Sequence, residues 1–173
     1  MDVYLVRHAI AEDRDARRWP DDAERPLTTD GAERFRRAAA GLRRVAPGVD
    51  VVLASPYVRA WQTAEILHDV TGWPEPERCK ALEATSAPVA ALEVLKGLDA
   101  SVTVALVGHE PFLSSLASLL LARDEDAVTL ELKKGGVVFL ECPADCEPGS
   151  ALLRWHVPPK LLRRLARDTA QVP

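Results

Sequence analysis

Four residues of this sequence lend themselves to one chemistry. Arg7 and His8 directly follow the apolar run "DVYLV", Arg59 lies in "SPYVRAWQTAEIL", and His109 closes "SVTVALVGH". Arginine presents a planar fork of donors that matches the oxygens of a phosphoryl group. A neutral histidine can attack phosphorus through one ring nitrogen while a carbonyl held by the other nitrogen fixes the tautomer. Gathered around one tetrahedral anion, two guanidiniums and two imidazoles would bind it, neutralise it and supply a nucleophile. The arginines would do the charge neutralisation that magnesium provides in many phosphoryl-transfer enzymes. No P-loop glycine motif is present, and neither a metal nor a cofactor is called for.

That reading requires elements that bring distant residues together. "DVYLVRH", "VDVVLASP" and "SVTVALVGH" are short and β-branched, and each is followed by a segment of helical period. Such alternation predicts a largely parallel sheet covered by helices. In sheets of that kind ligands gather beyond the carboxyl ends of the strands, where Arg7, His8, Ser55 to Arg59 and His109 all fall. Helices are expected over residues 29–45, with Phe35, Ala38, Ala39, Leu42 and Val45 on the apolar face, from Ser55 as cap with Pro56 in the first turn, over 88–98, and over 111–122, the last apolar on most sides. "GGVVFLECP" and "ALLRWHV" read as a late strand pair around "PADCEPGS". One long connection, residues 9–28, is expected to be a lid or a site wall, anchored by Trp19 and Pro20, or else a plain surface loop.

With 173 residues, 47% of them hydrophobic and 28% charged, the chain fits a single domain, 1–173, able to bury its own core. A net charge of -4 argues against nucleic acid as a partner while leaving room for a local basic pocket. Cys79, Cys142 and Cys146 suggest neither a disulfide framework nor a zinc site. No signal peptide and no membrane span are read, which points to the cytoplasm. The sequence specifies no oligomeric state.

"LVRHA", "SPYVRAWQTAEIL" and "VGHEP", in this order, resemble the histidine phosphatase superfamily. "RPLTTDG" and the ending "RWHVPPKLL" are similar to its small SixA-type phosphohistidine phosphatases, over Val3 to about Leu165. The resemblance implies a phosphoglycerate mutase-like, three-layer α/β/α sandwich. It makes His8 the residue transiently phosphorylated, with Arg7, Arg59 and His109 around the transferred group and His109, if protonated, donating to one of its oxygens. Ala9 stands where many members carry glycine. The implied substrate is phosphohistidine on a partner protein, since no spare segment exists to build a cap over the site. A small phosphoester is the rival substrate, and a non-catalytic phosphate-binding adaptor or, with less support, a metal hydrolase using His8 and His109 is the rival function.

The leaving group's proton donor is less defined. Glu83, in "KALEATSAP", reads equally as that general acid or as a capping or surface carboxylate, and Glu110 is a weaker candidate. Other features carry ordinary readings first. Thr28, Thr29 and Asp30 supply a helix cap, with Asp30 and Glu33 spaced like a capping box. Arg25 pairs with acids of the loop or assists binding. Gln62 and Thr63 read as helix surface, with orienting Arg59 as the alternative, Trp61 as packing rather than a substrate platform, and "PKLLRRLARD" as a terminal helix closing the sheet rather than a segment that touches a membrane.

Overall fold

Strand β1 (Asp2–Arg7) has neighbours on both sides and buries its side chains alternately on two faces. Val3 and Leu5 enter one cluster of buried residues, Tyr4 and Val6 another. Strands β2 (Val51–Ala54), β4 (Thr103–Gly108) and β5 (Val137–Glu141) divide in the same way. A strand covered on both faces shows the unbroken apolar runs noted in the sequence. In this computed structural model, which describes residues 1–167, helices α3 (Pro88–Lys96) and α4 (Phe112–Ala122) cover the first face. Helices α1 (Thr29–Leu42), α2 (Val58–Thr71) and α5 (Pro159–Leu165) cover the second, which makes three layers.

The six strands lie in the order β3-β2-β4-β1-β5-β6, with β3 at Glu77–Arg78 and β6 at Leu152–Val157. β1, β2, β3 and β4 are mutually parallel, and β5 runs antiparallel to both β1 and β6. The expected late strand pair is therefore present. β3 was not expected: its two exposed charged residues carry no hydrophobic signal, and only backbone pairing with Leu53 and Ala54 makes it a strand.

Three local expectations need correction. α1 ends at Leu42, and Val45 is 40% exposed; a turn closed by the Val45 and Ala46 amides on the Leu42 carbonyl sends Ala46, not Val45, into the core. The α1 cap is Thr28, whose Oγ1 accepts from the Gly31 amide at 2.9 Å, while Asp30 sits inside the helix and pairs with Arg34. α2 starts at Val58, so Ser55 and Pro56 precede it, and Tyr57 takes the cap position without a side-chain bond. Ser55 is engaged elsewhere, as described below.

α5 packs across α1, in keeping with a terminal helix that closes the sheet; Asp168, the last residue of "PKLLRRLARD", lies outside the described residues. Gly41 makes this crossing possible, because a Cβ there would lie 1.8 Å from the Leu162 carbonyl oxygen. Among the described residues no helix is long and apolar enough to cross a membrane.

Candidate active site

Strand register brings the four residues into one place. Arg7 pairs with Gly108 across β1 and β4, and Ala54 pairs with Val107 across β2 and β4, so three strands end level. The residues that follow are tied to one another: the His8 amide donates to the Gly108 carbonyl at 3.0 Å and the Ser55 amide to the Val107 carbonyl at 2.9 Å. His8 and His109 are thereby forced side by side, with ring centroids 5.3 Å apart. α2 and α4 begin just beyond; the α2 start has no side-chain cap and so favours an anion, whereas in α4 the Glu110 carboxylate accepts from the first-turn Ser114 amide at 3.1 Å.

His8 is almost fully buried, and its Nδ1 lies 2.7 Å from the Ala9 carbonyl. A carbonyl only accepts, so Nδ1 carries the hydrogen and Nε2, which forms no hydrogen bond with the described residues, carries the lone pair. Burial foremost, and then the neighbouring His109, Arg59 and Arg7, push its pKa down to about 2 against the Ala9 bond. His109 is 2% exposed and its pKa is pushed down to about 3, by burial first and by Arg59 second. Both rings are neutral at neutral pH in the free protein.

His109 Nε2 lies 2.8 Å from Ser55 Oγ, which also accepts from the Tyr57 amide at 3.3 Å. The described residues offer the serine hydroxyl hydrogen no other acceptor, and buried donors are ordinarily satisfied, so it is directed to Nε2 and His109 Nδ1 is left as the N–H donor. This is the physical reason Ser55 does not cap α2. The Tyr57 ring meets His109 edge-on at 5.0 Å and also lies under the Arg59 guanidinium at 5.0 Å.

The arginines are held differently. Arg7 Nη1 donates to the Leu132 carbonyl at 2.7 Å. Arg59, 3% exposed, donates from Nη1 to the Asp22 carbonyl at 2.7 Å, and its Nη2 lies 3.0 Å from the Asp22 carboxylate. Burial lowers the pKa of both guanidiniums from the ordinary value, opposed by Glu110 at Arg7 and by Asp22 at Arg59. Six buried side-chain nitrogens among the described residues lack a hydrogen-bond partner, and Arg7 Nε, Arg59 Nε and His109 Nδ1 are three of them. Buried polar atoms are ordinarily satisfied, so three orphaned donors on clustered side chains describe a place suited to an oxyanion.

Residues 9–28 form a wall, folded back on itself by the Ala11–Leu27 bridge, the Glu12 amide bond to Pro26 at 3.0 Å and the Thr28 amide bond to Ile10 at 3.0 Å. Trp19 is half-buried but Pro20 is exposed, so Pro20 is no anchor. The wall is fastened through Asp22, which pairs with Arg59, Arg25 and Arg14. The Arg25 hydrogen bond, with further help from Arg14 and Arg59, holds the Asp22 carboxyl well below the usual carboxylate range.

Asp22 escaped the sequence reading as part of the site, and Thr63 entered it only through the alternative that it orients Arg59. Thr63 is fully buried, with Oγ1 accepting from the Ala9 amide at 3.0 Å and donating to the Arg59 carbonyl at 2.7 Å, and Gln62 Oε1 accepts from the Leu27 amide at 2.8 Å. Neither is plain helix surface. A threonine four residues after the arginine was the available signal, since its hydroxyl can reach the i−4 carbonyl; an aspartate among several in a loop offered none.

Glu83 follows a 3-10 turn (Lys80–Leu82) whose Leu82 carbonyl lies 3.6 Å from where a Cβ of Gly108 would stand, so this segment runs beside the end of β4. Glu83 is half-buried, and its carboxylate forms no hydrogen bond or ion pair with the described residues. Glu110 is turned onto Ser114 by bonds of 3.1 and 2.7 Å, and burial raises its pKa against the pull of Ser114 and Arg7. A hollow of about 790 Å³ between α1 and α2, bordered by Trp61, Glu65 and Asp69, contains none of the four residues. Converging donors, rather than cavity size, mark the site.

The model of the histidine phosphatase superfamily (branch 1) matches residues 3–87. A solved structure of the protein histidine phosphatase SixA complexed with tungstate superposes with a TM-score of 0.81 at 24% identity, covering 94% of this chain and 99% of that one. The chain belongs to the histidine phosphatase superfamily. Its mixed six-stranded sheet with flanking helices is the phosphoglycerate mutase-like fold of the SixA structures. An uncharacterized protein of Picosynechococcus sp. is 35% identical over 146 residues, 83% of this chain and 87% of that protein. Phosphohistidine phosphatase SixA of Escherichia coli K12 is 36% identical over 74 residues, 43% of this chain and 44% of SixA.

Proposed function

We propose that this protein is a phosphatase that hydrolyses phosphohistidine on a partner protein, with His8 as nucleophile. The observation that carries the reading is the convergence of three acceptor-less buried donors, Arg7 Nε, Arg59 Nε and His109 Nδ1, beside a histidine whose Nε2 lone pair is set by the Ala9 carbonyl. The likeness to SixA, a structure of which holds the tetrahedral oxyanion tungstate, supports the substrate class.

In the first step the His8 Nε2 lone pair forms a bond to phosphorus as the bond to the leaving nitrogen breaks in line. The departing imidazole takes its proton from solvent or from Glu83. Water then attacks the phosphorylated His8, phosphate departs, and the ring regains its lone pair. Arg7, Arg59 and His109 stabilise the charge that develops on the phosphoryl oxygens. Asp22 takes one N–H from each Nη of Arg59, which leaves the Nε–H, without an acceptor among the described residues, and one N–H on each Nη to face the anion. An arriving dianion also raises the proton affinity of His109, which strengthens its bond to the oxyanion.

The test is rapid-quench trapping of an acid-labile phosphoenzyme, using a phosphohistidine protein and a panel of small phosphoesters as donors. Wild-type protein traps the label from the phosphohistidine donor with the highest kcat/KM, and His8→Ala traps none and loses at least about 10³-fold in turnover. Labelling of His8→Ala, or faster turnover of a small phosphoester, would contradict the proposal.

A further inference from the structure

A second concentration of positive charge lies on the α1–α5 side of the same sheet end. A hollow of about 230 Å³ has Arg34, Lys133, Lys134 and Arg163 in its wall and no carboxylate. Its wall also includes Ala9 and Ile10, which directly follow His8, and Gly135, whose amide donates to the Arg7 and His8 carbonyls at 3.0 and 3.1 Å. The hollow and the candidate active site thus share one strip of backbone. Gly31 makes this junction close-fitting, because a Cβ there would meet the Ile10 carbonyl oxygen at 2.1 Å.

The charge is crowded. Burial lowers the Arg163 pKa first, and Arg34, Arg37 and Arg167 lower it further, against Asp30 alone. The only ion pairs the four cations of the wall make among the described residues are Arg34 with Asp30 and Lys133 with Glu131. Both are exposed pairs, which bind weakly and exchange readily. In a chain whose net charge is -4, such a cluster is a local departure from the composition. Its volume is below the roughly 300–1,000 Å³ of a drug-sized ligand site, and suits one or two carboxylate side chains offered from a larger surface.

We propose that this basic hollow docks the acidic surface surrounding the phosphohistidine of a protein substrate; the inference rests on the phosphatase reading above. A partner whose phosphorylated side chain reaches His8 must lay the surface around it against residues 9–10 and 133–135. Complementary charge there raises the encounter rate and selects the partner, while leaving the chemistry at phosphorus untouched.

The experiment compares three substrates: a phosphohistidine peptide flanked by Asp and Glu, the same peptide flanked by Asn and Gln, and phosphoramidate, which has a phosphorus–nitrogen bond and no flanking surface. Wild type turns over the acidic peptide with a kcat/KM about 10-fold above the neutral one at low salt, and added salt erases the preference. The double variant Lys134→Gln, Arg163→Gln loses that preference and hydrolyses phosphoramidate as wild type does. Lys134→Gln alone, at an exposed position, serves if the double variant does not fold. Absence of preference in wild type, its survival in the variants, or an equal fall for phosphoramidate, which would make the hollow a subsite for small anions, would each overturn the docking site. Should none of the three substrates be turned over, the phosphatase reading fails, and anisotropy of a labelled, unphosphorylated acidic peptide then decides the docking surface separately. Tighter binding to wild type than to the variants supports it, and equal binding refutes it.

Discussion

The candidate active site and the neighbouring basic hollow are both rich in cations, yet they differ in what surrounds the charge. Arg59 is 3% exposed and His109 2%, and both are anchored to strand ends or to the first turn of a helix buried against the sheet. Arg34, Lys133 and Lys134 are exposed, on a helix surface and a connecting segment. Burial drives both histidines to the neutral form and leaves guanidinium and imidazole donors without acceptors. Exposed cations keep water as their partner and contribute mainly a screened field. In the proposed reading one residue type serves chemistry in one place and recognition in the other, and desolvation makes the difference.

The comparison is tested most severely at Arg59. Arg59→Ala removes the buried donor proposed to face the phosphoryl group and is expected to lower kcat/KM by about 10²–10³-fold on protein and small substrates alike. A loss seen on the protein substrate only would place Arg59 with the recognition surface instead.

Asp22→Asn comes next. The amide keeps the shape but weakens the grip on Arg59 Nη2 and on Arg25, so kcat should fall about 10-fold, the worth of one charged hydrogen bond. Because Asp22 acts through Arg59, the loss should largely vanish when it is combined with Arg59→Ala, a non-additivity that a merely structural role would not produce.

The acid side of the stability profile supplies the mildest perturbation. His8 and His109 have folded-state pKa values of about 2 and about 3, below the ordinary 6.5 that applies in the unfolded chain. Between those limits the unfolded chain binds protons that the native protein does not, so stability is intact above about pH 6.5 and declines as the pH falls, by at most about 1.4 kcal/mol per pH unit for each ring. Thermal melts from pH 7 to pH 4.5 check this. His8→Gln should remove part of the slope, whereas Lys134→Gln should leave it unchanged.

Most of the architecture was readable before any coordinates. Both-sided burial leaves β-branched runs, and these placed β1, β2, β4 and β5, whereas β6, an edge strand with no buried residue, was placed as the partner of β5 across the turn-rich "PADCEPGS". α1 could be recognised from Phe35, Ala38, Ala39 and Leu42, which share a helical face and are all buried. Errors arose where a polar group had two potential partners. Ser55 looked like a cap because a cap needs only a local amide, but its hydroxyl is taken by a histidine 54 residues away.

The sequence by itself determined the chemical inventory and its order along the chain: Arg7 and His8 after one strand, Arg59 after a second, His109 after a third. It could do so because residue type and strand periodicity are local properties. Tertiary structure alone decided that Asp22 holds Arg59, that Thr63 ties the Ala9 amide to α2, and that Ser55 orients His109. It also placed four cations around one hollow beside the backbone that follows His8. Those choices depend on which distant hydrogen-bonding groups are buried together, and desolvation, which no stretch of sequence displays, is what makes such groups seek one another.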